Sequence, residues 1–149
     1  MSTPPPSVSP PALELAWTAI VDIGERRPLG RTPLGERFMI DILGGHFEGP
    51  LLRGRVLPGG ADRQLLRPDG VKLLDALYEM QTDDGAVLTV HNRVTIDEAA
   101  PGGRYARSVV QVTAPEGPHE WLNRRVFVGT LQGLMPAQPA VKISVYLLR

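Results

Sequence analysis

Three turns built around glycine divide the middle of the chain and constrain its fold more than any other feature. They lie at residues 44–50 (GGHFEGP), 67–70 (RPDG) and 82–86 (TDDGA). Glycine adopts the backbone angles that tight turns need, and aspartate accepts hydrogen bonds from the turn backbone. Because each turn lies between short apolar segments, the pattern predicts antiparallel strands joined by hairpins.

The segments between the turns have the two-residue periodicity of β-strands. In residues 13–23 and 141–148 the apolar side chains fall on one parity. Residues 71–82 fit either a helical stripe or a strand, and the turn signals on both sides favour a strand. Residues 24–35 are rich in proline and glycine, which predicts a loop. The other predicted strands are residues 37–43, 51–57, 64–67, 87–96, 105–113 and 126–134.

This succession of strands at hairpin spacing, without a clear helix, predicts an all-β barrel or sandwich. We favour a single antiparallel β-barrel of about eight or nine strands, because closure removes exposed edges and encloses space for one small ligand. Both faces of several strands carry apolar residues, so the sequence leaves open which face lines the barrel. The same feature suggests a covered outer surface or a homo-oligomer interface.

The first residues differ in composition from the rest of the chain. Residues 1–12 are dominated by proline and serine, and no periodic apolar pattern begins before residue 13. Such a composition predicts a disordered tail. The remaining residues, 13–149, are enough for one domain with a hydrophobic core.

Charge and composition exclude several classes of protein. The chain has 16 basic and 16 acidic residues, whereas nucleic-acid and membrane-surface proteins have a basic excess. It has no cysteine, which excludes disulfides and thiolate chemistry. No apolar run is long enough to span a membrane, and no secretory signal pattern is present. The expectation is a cytoplasmic protein that binds neither nucleic acid nor membranes.

Neither a cofactor nor a metal is expected. The sequence contains no glycine-rich dinucleotide fingerprint and no phosphate-binding loop. His46, His91 and His119 lack the close spacing that is typical of metal ligands. Because a barrel can bring distant residues together, a three-histidine site stays open as the alternative.

Acid–base chemistry is the better candidate. A carboxyl group inside an apolar barrel has a raised pKa and can exchange protons near neutral pH. Asp75 lies in an otherwise apolar segment, and Asp41 lies mid-strand on the parity opposite its apolar neighbours. Both are candidate bases, although a buried Asp75 paired to an arginine to hold the fold is the alternative. Glu48 and Asp69 flank turns and are candidate binding residues, with turn capping favoured for Asp69. Tyr78 is a candidate donor to a developing oxyanion.

A second cluster lies at residues 121–124, which read WLNR. Trp121 and Asn123 are candidate substrate-binding residues, because tryptophan packs flat apolar ligands and an amide orients polar ones. Arg124 is a candidate for clamping a carboxylate or an enolate. The alternative is a corner or bulge, with Asn123 in a left-handed conformation and Arg124 paired to Asp75 or Asp69.

Three segments carry a family resemblance. They are residues 44–62 (GGHFEGPLLRGRVLPGGAD), 67–90 (RPDGVKLLDALYEMQTDDGAVLTV) and 121–130 (WLNRRVFVGT). In their order and spacing the chain resembles the DUF3237 family, also called UPF0311, over roughly residues 13–149. The resemblance implies a β-barrel of the allene-oxide-cyclase type, a group that includes cyclases, isomerases and dirigent proteins. It implies a fold and a pocket rather than a reaction.

These observations predict a cofactor-independent isomerase, cyclase or lyase that acts on a small apolar molecule. Asp75 or Asp41 would be the base, and Arg124 with Asn123 or a tyrosine would stabilise the enolate-like charge. The first alternative is a carrier that binds a hydrophobic molecule without turnover. The second is a dirigent-like protein, in which pocket shape guides a reactive intermediate.

Overall fold

In the computed structural model, which describes residues 2–149, ten strands form one antiparallel sheet. The strands are β1 (Leu13–Ile23), β2 (Arg27–Thr32), β3 (Gly35–Glu48), β4 (Gly54–Val56), β5 (Gly60–Leu66), β6 (Lys72–Thr82), β7 (Val87–Asp97), β8 (Tyr105–Thr113), β9 (Phe127–Gly133) and β10 (Ala140–Leu148). A 3₁₀-helix, Glu120–Arg124, connects β8 to β9.

The sheet closes into a barrel where β1 pairs with β3. From β1 the order continues through β10, β9, β8, β7 and β6, and the short strands β4 and β5 share the position between β6 and β3. The result is an eight-position antiparallel barrel, which confirms the predicted fold class. Strand β2 pairs with β3 beside the closed ring.

Strand β3 is longer than predicted, because the pair Gly44-Gly45 lies within it and does not end it. Gly45 has a φ of +136°, and a Cβ atom there would lie 2.1 Å from the carbonyl oxygen of Ile20 on β1. Glycine therefore permits the close approach that closes the barrel. The predicted strand end at residue 43 is wrong for this reason.

Most of the other predicted elements are confirmed, with boundaries that shift by a few residues. Residues 72–82 form the strand β6, and the following hairpin turn has Gly85 at a φ of +92°. The predicted loop at 24–35 is wrong, since it contains β2. Pro28 and Gly30 are tolerated in β2 because it is an edge strand whose register shifts between them.

The structure decides which strand faces line the barrel. On β3 the side chains of Phe38, Ile40 and Ile42 are buried, and the residues between them are partly or fully exposed. On β1 the register with β10 shifts between Leu15 and Trp17. From Trp17 onward every second side chain is buried, as Ala19 and Val21 show.

A large apolar core fills one end of the barrel. Trp17 packs against Phe127 with ring centroids 5.5 Å apart, and Phe47 and Met80 are buried in the same cluster. Leu122 of the 3₁₀-helix is 1% exposed and closes this end. The opposite end has a smaller apolar cluster and contains a cavity.

The N-terminal segment lies outside the barrel. Residues 2–11 are exposed and have no regular secondary structure, whereas Ala12 exchanges two backbone hydrogen bonds of 3.0 and 2.9 Å with Arg149. The disorder of residues 1–12 stays a prediction, and Met1 lies outside the described residues. Among residues 2–149, no helix has the length and apolar character that crossing a membrane requires.

Candidate functional site

A cavity of about 170 Å³ lies in the half of the barrel that the large aromatic core leaves unfilled. Most of its walls are aliphatic, with Ile40, Ile42 and Ile143 among them. The polar and charged side chains in its lining are Asp62, Gln64, Lys72, Tyr78, Asn92 and Arg104. An apolar pocket with a few convergent polar groups is the usual form of a small-molecule site.

Strand pairing brings the polar interior residues to neighbouring levels. Asp62 on β5 lies opposite Ala76 on β6, and Ala76 lies opposite Asn92 on β7. Directly opposed residues of antiparallel strands point to the same face. The side chains of Asp62 and Asn92 therefore enter the cavity at one level, from backbones about 10 Å apart across two strand spacings.

Asp62, a half-buried residue, is the carboxyl group that lines this cavity. The Nε2 atom of Gln64 donates a hydrogen bond of 2.9 Å to its Oδ2 atom. Its Oδ1 atom is buried and has no hydrogen-bond partner among residues 2–149. Burial raises the pKa of Asp62 to about 6, although the hydrogen bond from Gln64 and the nearby backbone N–H of Asp75 oppose the shift. This carboxyl group can therefore exchange a proton near neutral pH.

Asn92 is the most completely buried polar residue of the site. It is 0% exposed, and neither its amide nitrogen nor its amide oxygen has a hydrogen-bond partner within the described chain. Leaving such groups unpaired costs about 1–3 kcal/mol each, so they are normally satisfied by protein, water or ligand. Because Asn92 lines the cavity, its amide is available to a bound molecule.

Tyr78 lies deeper on the inward face of β6 and is 1% exposed. Gly60 makes room for it, since a Cβ atom at residue 60 would lie 2.5 Å from the Tyr78 Cβ atom. Burial, and secondarily the negative charge of Asp62, raises the pKa of Tyr78 well above its usual value. The hydroxyl therefore keeps its proton and can serve as a hydrogen-bond donor.

Two cations, Lys72 and Arg104, lie in the cavity lining away from Asp62, Asn92 and Tyr78. Lys72 begins β6, and Arg104 follows the turn between β7 and β8. Arg104 pairs with Glu98, with 2.9 Å between Nε and Oε1. No carboxylate within residues 2–149 lies within 4.0 Å of the Lys72 ammonium group.

The two predicted bases lie on the outer surface. Asp75 alternates with inward-facing residues of β6, and its side chain is 57% exposed, with Oδ1 2.7 Å from Nε2 of His91. Asp41 is 52% exposed and pairs with Arg27 at 2.8 Å. The prediction that these carboxyl groups lie inside an apolar barrel is therefore wrong, because both have the outward parity of their strands.

Glu48 and Asp69 also lie away from the cavity. Glu48 is exposed at the end of β3. Asp69 accepts a hydrogen bond of 3.1 Å from the backbone nitrogen of Val71 and pairs with Arg67, whose guanidinium lowers the Asp69 pKa. Asp69 thus has the turn-capping position that the sequence favoured.

The WLNR segment forms the 3₁₀-helix at the closed end of the barrel. The Asn123 amide nitrogen donates to the carbonyl oxygens of Ala114 (2.9 Å) and Glu120 (3.1 Å), and its Oδ1 accepts from the Ala114 nitrogen (2.9 Å). Arg124 pairs with Glu120 at 3.2 Å, and Trp121 packs against the aromatic core. The proposed pairing of Arg124 with an aspartate is wrong. The left-handed Asn123 is also wrong, since no residue other than glycine within 2–149 has a positive φ.

Of the predicted site residues, Tyr78 is the one that lines the cavity, and the sequence interpretation missed Asp62, Gln64 and Asn92. Asn92 carried a usable signal, because it interrupts an apolar series on one parity of β7. That series is Leu88, Val90, Val94 and Ile96. Asp62 and Gln64 carried no such signal, since β5 is short and lacks an apolar alternation.

No three histidine, aspartate or glutamate side chains converge as a metal site within residues 2–149. His91 and His119 each contact an aspartate on the surface, and the second contact, to Asp84, is 2.9 Å long. The expected absence of a metal and of a cofactor stays a prediction.

Comparison with known proteins identifies the family. The model of the family described as "Protein of unknown function (DUF3237)" matches residues 11–148. The chain belongs to the DUF3237 family. A UPF0311 protein from Rhodopseudomonas palustris is 33% identical over 135 residues, which cover 80% of this chain and 88% of the relative. A UPF0311 protein from Bradyrhizobium diazoefficiens is 32% identical over 127 residues, which cover 76% of this chain and 83% of the relative.

Solved structures share the barrel. A conserved protein of unknown function from R. palustris has a TM-score of 0.85 and 29% identity, covering 95% of this chain and 100% of that chain. A β-barrel-like protein from Acinetobacter baumannii has a TM-score of 0.84 and 29% identity, covering 96% of this chain and 100% of that chain. An enzyme from Penicillium herquei has a TM-score of 0.76 and 23% identity, covering 100% of both chains, which shows a common fold alone.

Proposed function

We propose that the cavity catalyses proton transfer on a small apolar carbonyl compound without a cofactor, as an isomerase, cyclase or lyase. The observation that carries the proposal is the buried, unpaired Oδ1 atom of Asp62 in an apolar cavity, on a carboxyl group with a pKa of about 6. A general base is most effective when its pKa lies near the working pH.

In the proposed step, the Asp62 carboxylate removes a proton from the carbon next to the substrate carbonyl. The C–H bond breaks, an O–H bond forms on Asp62, and the electron pair moves to the carbonyl oxygen as an enolate. Return of the same proton to a different carbon gives an isomer. Addition of the enolate to a second carbonyl group of the substrate breaks the π bond of that group and closes a ring, and the new alkoxide takes the proton from Asp62. Elimination instead forms a C=C bond as the bond to a leaving group on the neighbouring carbon breaks, and the leaving group departs with the electron pair and the proton from Asp62.

Tyr78 and Asn92 are suited to stabilise the enolate. The raised pKa of Tyr78 keeps its hydroxyl protonated as a donor, and the Asn92 amide nitrogen has no partner within residues 2–149. Preorganised donors in a site that excludes water stabilise developing charge better than solvent does. Asp62 and Tyr78 can take opposite roles because their pKa values lie far apart: Asp62 accepts a proton, whereas Tyr78 keeps its proton and donates a hydrogen bond.

The size of the cavity restricts the substrate. A volume of about 170 Å³ is close to that of engineered apolar cavities, about 150 Å³, which bind benzene. One six-membered ring therefore fits inside, and a longer molecule extends to the mouth. The P. herquei protein shares the fold and is an enzyme, but the proposal depends on the interior residues of this chain.

Hydrogen–deuterium exchange tests the proposal without knowledge of the natural substrate. Single-ring ketones and lactones are incubated with the protein in D₂O, and loss of the proton next to the carbonyl is followed by NMR. We expect catalysed exchange for at least one compound and a loss of at least about 100-fold in Asp62→Asn. Asp22→Asn, the same change at an exposed residue of β1, is the matched control. Undiminished exchange in Asp62→Asn would refute the assignment of the base.

Binding without turnover is the second candidate. It is favoured by the aliphatic walls and by the Asn92 amide, which can anchor a ligand without chemistry. In a carrier or a dirigent-like barrel, Asp62→Asn changes ligand affinity modestly, and no compound shows catalysed exchange. Homo-oligomerisation also stays a prediction, and sedimentation of the purified protein tests it.

A further inference from the structure

The lining of the cavity contains a lysine with no carboxylate partner. Lys72 shares the inward parity of β6 with Leu74, Ala76 and Tyr78, and it lies opposite the buried Ile96 of β7. Within residues 2–149, no ion pair of Lys72 is shorter than 4.0 Å. A lysine on an inward face needs a reason, because its charge is more stable in water than beside apolar walls.

The charges around the cavity are distributed unequally. Its charged lining residues are Asp62, Lys72 and Arg104. Glu98 pairs with Arg104 at 2.9 Å, so Lys72 is the cation of this lining that has no ion pair within 4.0 Å among residues 2–149. A low-dielectric pocket with a cation at its rim attracts small anions.

Strand geometry separates the cation from the acid–base group. Asp62 lies opposite Ala76, which is four residues beyond Lys72 on β6. At about 3.3 Å per residue, the two levels are about 13 Å apart along the strand. The lysine side chain spans part of this separation, and its positive charge acts on Asp62 across the cavity, where it opposes the rise in the Asp62 pKa. The two groups form no ion pair within 4.0 Å, so a bound molecule can lie between them.

We propose that the ligand of this barrel is a carboxylate with an apolar body, whose carboxylate binds Lys72 at the mouth while its other end lies beside Asp62 and Asn92. This inference rests on the proposed function for the reaction at the inner end. The recognition of the carboxylate by Lys72 depends on the cavity and its rim alone. The substrate class is thus an aryl or alkyl keto acid or a related acid.

Two matched probes test the inference. 3-Phenylpropanoate carries a single ring and a carboxylate, and 3-phenylpropanamide has the same shape without the charge. Their dissociation constants for the full chain are measured by ligand-observed NMR. We expect the carboxylate to bind about tenfold more tightly than the amide, with the preference weakening as salt increases.

The chain supplies a matched control, because it contains only two lysines, Lys72 and Lys142. Lys142 is exposed on β10 and does not line the cavity. We expect Lys72→Met to remove the preference for the carboxylate and Lys142→Met to preserve it. Equal binding of the two probes, a preference that survives Lys72→Met, or no binding of either probe at millimolar concentration would overturn the inference.

A second measurement avoids dependence on the folding of a variant. Reductive ¹³C-methylation of the wild-type protein labels the two lysines and the amino terminus. The carboxylate is expected to shift the Lys72 resonance and not that of Lys142, and a shift confined to Lys142 would overturn the inference. Asp62→Asn should keep the preference for the carboxylate, so failure of the proposed catalysis and failure of anion recognition are separate outcomes.

Discussion

The Nε2 atom of Gln64 donates a hydrogen bond of 2.9 Å to Oδ2 of Asp62, and both side chains enter the barrel from alternate positions of β5. The bond orients the carboxyl group and occupies one of its oxygens. The other oxygen is buried without a partner among residues 2–149. Such a group destabilises the fold at neutral pH and is retained where a ligand or a proton uses it.

Asp62→Asn should stabilise the protein at neutral pH. The pKa of Asp62 is raised from 3.8 to about 6 in the folded state, so the folded protein prefers the protonated form. The contribution of protonated Asp62 to the free energy of unfolding is fully present below about pH 4, and it is lost as the pH rises through 6. At pH 7.5 we expect Asp62→Asn to increase the free energy of unfolding by about 1–3 kcal/mol. At pH 3.5 the change should be near zero, and urea denaturation at both pH values measures it. An equal effect at both pH values would contradict the assigned pKa.

The exchange activity should depend on the ionisation of Asp62. Because the carboxylate is the base, the rate is expected to fall tenfold per pH unit below about 6 and to be level above it. A ¹³C NMR titration of the aspartate carboxyl groups provides the same pKa without a substrate. A midpoint near 4 in either experiment would be inconsistent with a buried Asp62.

Asn92→Leu should stabilise the protein and weaken its binding and exchange activity. The substitution replaces a fully buried amide, which has no partner within residues 2–149, with an apolar side chain of similar size. We expect the free energy of unfolding to rise by about 1–2 kcal/mol. Binding of 3-phenylpropanoate and the exchange rate should both decrease. A loss of stability together with unchanged binding would mean that the Asn92 amide serves the fold.

Asp75→Asn should have little effect, although the sequence favoured Asp75 as the base. The side chain is exposed on the outer face of β6, where it contacts His91. Surface ion pairs contribute up to about 1 kcal/mol, so we expect a change in the free energy of unfolding below that value. The exchange rate and ligand affinity should equal those of the wild type. A large loss of exchange in Asp75→Asn would restore the original assignment.

The strand pattern of this chain could be predicted because its causes are local. Alternation of apolar residues and the Asp-Gly hairpin after β6 indicate strands and turns from adjacent residues alone. Strand β2, which lies in a segment predicted to be a loop, shows where local patterns fail to predict a strand. It carries Pro28 and Gly30, which local propensity disfavours, but it forms because its edge position tolerates both residues.

The location of the candidate site required the closed barrel. A period of two separates the faces of a strand without telling which face is inside, and both faces here carry apolar side chains. Asp41 and Asp75 were therefore predicted inside, whereas the register of β3 and β6 turns them outward.

The sequence by itself determined an all-β chain of the DUF3237 family, because turn chemistry and residue periodicity are encoded in neighbouring positions. Only the tertiary structure placed Asp62 and Asn92 at one level of one cavity. They are 30 positions apart in sequence, and the pairing of β5, β6 and β7 brings them together. Burial and the pKa that it raises depend on that pairing, since both arise from what surrounds a side chain in space.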